Sequence, residues 1–101
     1  PLTVFGDGEQ ARDFTYVGDV VPNLVQLALS DRTGTAEIGY GDPITVNGII
    51  ELIYGKRPEI TYMPANKHDI LYSCSKEKCK VIYGRKEGIR RAIEWFKEYY
   101  K

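Results

Sequence analysis

The sequence predicts a mixed α/β (α+β) fold, a small sheet of short strands packed with about four helices. Three observations carry this. Runs rich in β-branched and aromatic residues alternate with runs whose apolar residues recur at helical spacing. Gly, Pro and Asp turn pairs separate them. The 101 residues are the length of one domain, enough for one modest core.

Leu2–Phe5 reads as a short strand, and Asp7-Gly8 as a turn pair. Arg12–Val17, with Phe14, Thr15, Tyr16 and Val17, reads as a second strand. Asp19 is placed to cap a helix that tolerates Pro22 in its first turn. Val21, Leu24, Val25, Ala28 and Leu29 give that helix one apolar face. After the Asp31–Gly34 loop, residues 36–40 read as a third strand, and Gly41-Asp42-Pro43 as a turn. Thr45 caps a helix with Val46, Ile49, Ile50 and Ile53 on one side, ended by Gly55. Residues 59–63 are strand-like, 64–69 a loop, and 70–72 a short extended piece. Ser75 is expected to cap a short helix carrying Cys79, Ile82 and Tyr83, stopped by Gly84. In the final helix Ile89, Ala92, Ile93, Phe96 and Tyr100 share one face, with Glu87 and Arg91 paired at i, i+4.

Charge narrows the function classes. Fourteen basic residues balance 14 acidic ones, so no net field steers the chain onto nucleic acid or an anionic membrane. No apolar run reaches ~18 residues, the length of a membrane-spanning helix. The chain opens at Pro1 without Met or a basic n-region, which suggests a piece of a longer chain and no signal peptide. Cys74 and Cys79 with the single histidine, His68, make a poor zinc set, so no metal is expected and Cys79 reads as a small core residue. Free thiols without a targeting signal favour a cytoplasmic protein.

Three motifs bear on chemistry. Gly6-Asp7-Gly8-Glu9-Gln10-Ala11 fits G-x-G-x-x-A, the form of a dinucleotide loop. Such a loop runs from a strand into a helix whose N-terminus holds the pyrophosphate. Here it runs into Arg12–Val17, which is strand-like, so the glycines read as a turn. Tyr72 and Lys76 form a Tyr-x-x-x-Lys, but eight tyrosines and eight lysines in 101 residues make about 0.6 such pairs by chance. Arg12 beside a glycine turn can fork two hydrogen bonds onto phosphate oxygens, or can form a structural pair with an aspartate. His68, in a polar loop, reads as solvent-facing, and Trp95 and the tyrosines as core and rim.

Four stretches in order carry a family resemblance: L-T-V-F-G-D-G-E-Q-A-R-D-F-T-Y-V; E-I-G-Y-G-D-P-I-T-V with I-I-E-L-I; P-E-I-T-Y-M-P-A-N-K-H-D-I; and E-G-I-R-R-A-I-E-W-F. The chain resembles the C-terminal substrate-binding domain of NAD-dependent epimerases and dehydratases, the extended short-chain dehydrogenases/reductases, and is most similar to UDP-glucose 4-epimerases. The resemblance implies that a separate Rossmann domain holds NAD and the catalytic Tyr and Lys, and that this domain binds the UDP-sugar. It implies that Thr3 and Phe5 lie along the base, that Arg12 contacts the diphosphate, and that Asp69 binds ribose hydroxyls. Asn66 stands where family members usually carry an arginine that also contacts phosphate. Lys67-His68 replaces their Pro-Gly, and Gly18 an acidic residue. The segments near Tyr54 and after Gly84 are shorter than usual.

The implied reaction is oxidation at the sugar C4 by NAD with return of hydride, chemistry that belongs to the nicotinamide. The expectation is therefore a UDP-sugar-binding domain over residues 1–101, not catalytic alone and binding no cofactor by itself. Its expected partners are a nucleotide sugar and a Rossmann domain in cis or in trans. The alternative is a stand-alone interaction module, or an epimerase remnant that no longer binds substrate.

Overall fold

The computed structural model describes residues 2–100. The chain runs β1 (Leu2–Phe5), β2 (Ala11–Arg12), α1 (Val17–Ala28), β3 (Ile44–Thr45), α2 (Val46–Tyr54), β4 (Ile60–Met63) and α3 (Gly84–Tyr99). β1 and β4 pair in parallel, Leu2 opposite Ile60 and Phe5 opposite Met63. β2 and β3 pair antiparallel, and Tyr72 bridges to Ala11 on β2. Two small two-stranded sheets thus replace the single sheet expected.

Several local expectations hold for the reasons given. The Thr45 hydroxyl accepts the Gly48 N–H at 3.0 Å and starts α2, and Gly55 ends it in the left-handed region at φ 74°. On α3, Arg91 lies 3.2 Å from Glu87, one turn away.

Other expectations are corrected. Arg12–Val17 is not a strand beyond Arg12, and Val17 already opens α1. The intervening backbone is held by side chains instead of a ladder. The Thr15 hydroxyl donates to the Asp13 carbonyl at 2.9 Å, and the Tyr16 N–H donates to the Tyr40 hydroxyl at 3.3 Å. Asp19 does not cap its own helix, whose N-cap is Tyr16, and Pro22 falls beyond the first turn. Residues 36–40 form no strand, and 75–83 form no helix. In the latter stretch the N–H of Cys79 goes to the Gly39 carbonyl, that of Lys80 to Asn23, and those of Ile82 and Tyr83 to Asp19. Those donors are then lost to any local helix. Gly84 begins α3 instead of stopping a helix, leaving three helices among the described residues.

The fully buried Asp19 is the main joint between helices. Its carboxylate accepts the N–H groups of Ile82 (2.6 Å), Tyr83 (3.0 Å) and Gly84 (3.0 Å), and the Tyr40 hydroxyl at 2.5 Å. An acid from α1 therefore caps the positive end of α3. Asp13 plays a similar part, accepting the N–H groups of Gly41 and Ser75 and facing Arg85 at 3.4 Å.

The apolar core is small. Val4 is the one buried hydrophobic residue among those described, fewer than the modest core expected. The apolar face of α1 is largely uncovered: Val21, Leu24 and Val25 are half exposed, and Leu29 is 83% exposed. The accessible surface is 7590 Å², against about 5800 Å² for a compact monomer of this mass. The radius of gyration is 15.7 Å, where a compact chain of this length has about 13 Å.

Candidate functional site

β1 and β4, being parallel, end side by side. The Gly6 N–H donates to the Met63 carbonyl at 2.8 Å, so the chain leaves both strands at one edge. Segments leaving the carboxyl ends of parallel strands are where α/β folds place ligands. From β1 the chain turns through Gly6–Gln10 into β2 and Arg12. From β4 it runs through Pro64–Asn66 to Asp69.

The glycine turn is shaped by contact with α2. A Cβ on Gly8 would lie 2.1 Å from Asn47 Oδ1, and Gly8 has φ 76°. Asn47 is buried; its Nδ2 donates to the Asp7 carbonyl (3.1 Å) and to Glu9 (2.9 Å), while its Oδ1 accepts from the Tyr62 hydroxyl (2.8 Å). One side chain thus ties the turn to both α2 and β4. On the other side, the Asp69 N–H donates to the Asn66 carbonyl at 3.1 Å, closing a four-residue turn with Asn at its favoured first position. The Ala11 N–H donates to the Leu71 carbonyl at 2.9 Å and the Ser73 N–H to the Ala11 carbonyl at 3.0 Å, stitching the 66–73 segment to β2.

These two turns bring Arg12 and Asp69 together. Arg12 Nη2 lies 2.9 Å from Asp69 Oδ1, with the two side chains 29% and 32% exposed, and Arg12 Nη1 donates to the Ala11 carbonyl. A cation with planar, forked donors and a carboxylate with two acceptor oxygens stand at a solvent-open edge. Thr3 and Phe5 share the exposed face of β1, opposite buried Val4, and Phe5 offers its carbonyl to Gln10 Nε2 at 3.0 Å. Of the five residues singled out from sequence, Arg12 and Asp69 are in contact. Asn66 belongs to the turn that delivers Asp69, and Thr3 and Phe5 lie on the strand that enters the same edge.

No family model matches the chain. A UDP-glucuronate 4-epimerase of Thermodesulfobacterium geofontis is 31% identical over 109 residues, covering 97% of this chain and 34% of the relative. The structure of UDP-glucose 4-epimerase from Thermotoga maritima with UDP-glucose superposes with a TM-score of 0.84 at 29% identity, over 99% of this chain and 36% of that one. An NAD-dependent NDP-hexosamine 5,6-dehydratase involved in tunicamycin biosynthesis superposes with a TM-score of 0.80 at 32% identity, over 95% of this chain and 35% of that one. The chain is homologous to the C-terminal third of NAD-dependent epimerases and dehydratases. It spans about a third of the length of the curated relatives it matches.

Within this epimerase/dehydratase homologue, the G-x-G-x-x-A stretch is not built as a dinucleotide loop. It leads into β2 rather than a helix, and three of its N–H groups are engaged within the fold: Gly6 with Met63, Glu9 with the Asp7 carboxylate, and Ala11 with Leu71. Tyr72 and Lys76 lie in non-helical chain, so the helical face that this motif needs is not formed. No described helix is long and apolar enough to cross a membrane.

Sequence reasoning missed Asn47, Asp13 and Arg85. Arg85 Nε donates to the Phe14 carbonyl at 3.0 Å and its Nη2 to the Asp42 carbonyl at 2.6 Å, anchoring the 13–16 segment to α3. Nothing local marks these residues. The turn residues that Asn47 holds are 38 and 40 positions away, and the partners of Arg85 are 43 to 72 away.

Proposed function

We propose that this chain is a nucleotide-sugar-binding domain, residues 1–101, of an NAD-dependent epimerase or dehydratase, and that it takes a UDP-sugar. The observation that carries this reading is the meeting of Arg12 and Asp69 at the carboxyl edge of β1 and β4. Arg12 supplies forked donors for the diphosphate. Asp69 supplies acceptors for the ribose hydroxyls. Thr3 and Phe5 offer a strand edge and a ring for the base. Asn66, uncharged, contributes a hydrogen bond to phosphate where an arginine would contribute charge.

Catalysis is assigned to a separate Rossmann domain, in cis or in trans, which brings NAD. The exposed surface supports such a partner. The chain exposes about 1,800 Å² more than a compact monomer of its mass, the scale of an extensive permanent interface. The uncovered α1 face continues through Val17 into an open apolar groove of about 680 Å³, lined by Phe14, Ile53, Ile89, Ala92 and Trp95. An NAD-carrying domain seated there would cover this groove.

Calorimetric titration with UDP and UDP-glucose tests the reading. Binding weakened by both Arg12→Ala and Asp69→Ala supports it; silence at millimolar ligand favours the remnant. Chain alone, mixed with NAD and UDP-glucose, is expected to yield no UDP-galactose.

A further inference from the structure

We propose that Asn47 is a positioning residue, which fixes the Gly6–Gln10 turn and so sets where Arg12 stands before any ligand arrives. The proposal rests on the nucleotide-sugar reading and adds to it a buried residue of α2.

Asn47 is 6% exposed, and its hydrogen bonds run in one direction. Arg57 is a donor with no acceptor, and its Nη2 donates to the Tyr62 hydroxyl at 2.9 Å. The one proton of that hydroxyl goes to Asn47 Oδ1 at 2.8 Å. With its oxygen claimed by β4, the amide turns its NH₂ to the loop. There it donates to the Asp7 carbonyl at 3.1 Å and to Glu9 Oε1 at 2.9 Å. The main chain grips the same turn: the N–H groups of Val46 and Asn47 donate to the carbonyls of Gln10 and Gly8, each at 3.0 Å. Arg12 follows two residues after Gln10. Tyr62 precedes Met63, whose carbonyl accepts the Gly6 N–H where β4 ends. Asn47 therefore ties the exit of β1, which leads to Arg12, to the exit of β4, which leads to Asp69. A turn ordered in advance spares the ligand the cost of ordering it.

Asn47→Asp separates the position of the turn from the fold. It keeps the shape of the side chain, the main-chain bonds and the acceptor for Tyr62, and it puts an acid in the first turn of α2, where the helix dipole favours one. It removes both donors and sets a carboxylate against Glu9. Glu9→Gln in the same chain returns a donor to that contact. In calorimetric titration at neutral pH, Asn47→Asp is expected to bind UDP on the order of tenfold more weakly, the scale of ordering one or two side chains. The Asn47→Asp/Glu9→Gln double variant should recover most of that loss. In the ligand-free chain, the Arg12 Nε–H resonance should move in Asn47→Asp and return in the double variant, which a merely stabilising contact would not produce. Tyr62→Phe frees the amide to flip and should weaken UDP binding in the same direction, which decides the matter if Asn47→Asp fails to fold. UDP binding that these variants leave unchanged, a loss that Glu9→Gln does not recover, or an Arg12 resonance that stays in place would overturn the positioning role and leave the binding site standing. No UDP binding by the native chain would overturn the site, and this role with it.

Discussion

Arg12 and Asp69, 57 positions apart, meet as an ion pair of 2.9 Å at the edge where two parallel strands end. Exposed pairs of this kind stabilise a fold by only about 0–1 kcal/mol. Arg12→Ala and Asp69→Ala are therefore expected to shift the urea midpoint of unfolding very little. A change in nucleotide binding by these variants then reports the site and not the fold. Equilibrium urea unfolding followed by circular dichroism checks the first half.

Asp19 behaves oppositely. Burial alone would raise its pKa, but the hydrogen bonds from Tyr40 and the N–H groups of Tyr83, Ile82 and Gly84 outweigh burial and hold it below the ordinary carboxylate value. The same contact and burial push the Tyr40 hydroxyl up to about 12. A carboxylate with a depressed folded pKa stabilises the native state above its unfolded pKa, and that contribution fades as pH falls through the folded value. Stability is thus expected to be flat near neutrality and to drop below about pH 4. Asp19→Ala strands three N–H groups and a hydroxyl, a loss of order 3–5 kcal/mol. With so small a core, that variant should lose cooperative thermal unfolding in calorimetry.

Gly8 and Gly34 separate two kinds of glycine. Both have positive φ, 76° and 88°, but a Cβ at Gly34 meets nothing within 4 Å, while at Gly8 it would strike Asn47. Gly34→Ala should cost about 1–2 kcal/mol from backbone strain alone. Gly8→Ala should cost more, and should disturb the turn that leads to Arg12. Paired urea unfolding curves give the comparison; equal costs would contradict the assigned role of Asn47.

How far the sequence foretold this structure depended on where the partners of each group lie. Thr45 and Gly55 delimit α2 because a cap is a contact over three or four residues, and Glu87 with Arg91 marks α3 for the same reason. Leu2–Phe5 and Ile60–Met63 were readable as strands, though their parallel pairing was not. The 75–83 segment misled because Asp13 and Asp19 draw its backbone donors across the fold, and the 13–16 segment because its Tyr16 N–H goes to Tyr40 and its Phe14 carbonyl to Arg85. The β-rich run at 36–40 is packed without a ladder, Tyr40 bonding to Asp19 and the Gly39 carbonyl to Cys79, while the apolar stripe of α1 has a pattern that calls for burial yet stays largely exposed. At the site, residue type and family resemblance picked out Arg12 and Asp69. Their mutual contact had to come from tertiary structure.

The uncovered α1 face predicts behaviour in solution. Leu24→Glu and Leu29→Glu replace residues that are half or more exposed, so each should change stability by no more than about 0.5 kcal/mol. The native chain is expected to self-associate at high concentration through this apolar surface, and the double variant to stay monomeric. Sedimentation velocity over a concentration series distinguishes them. If the variant instead unfolds, the face is already part of the core.

On the proposed function, the edge formed by Arg12 and Asp69 binds a nucleotide sugar. Its most direct test is nuclear magnetic resonance mapping of UDP-glucose onto the ¹⁵N-labelled chain. Shifts are expected at the Arg12 guanidinium and at the amides of Thr3, Phe5, Asn66 and Asp69, with Ile89 and Trp95 unmoved. Shifts confined to the α1–α3 groove, or none at millimolar ligand, would contradict it.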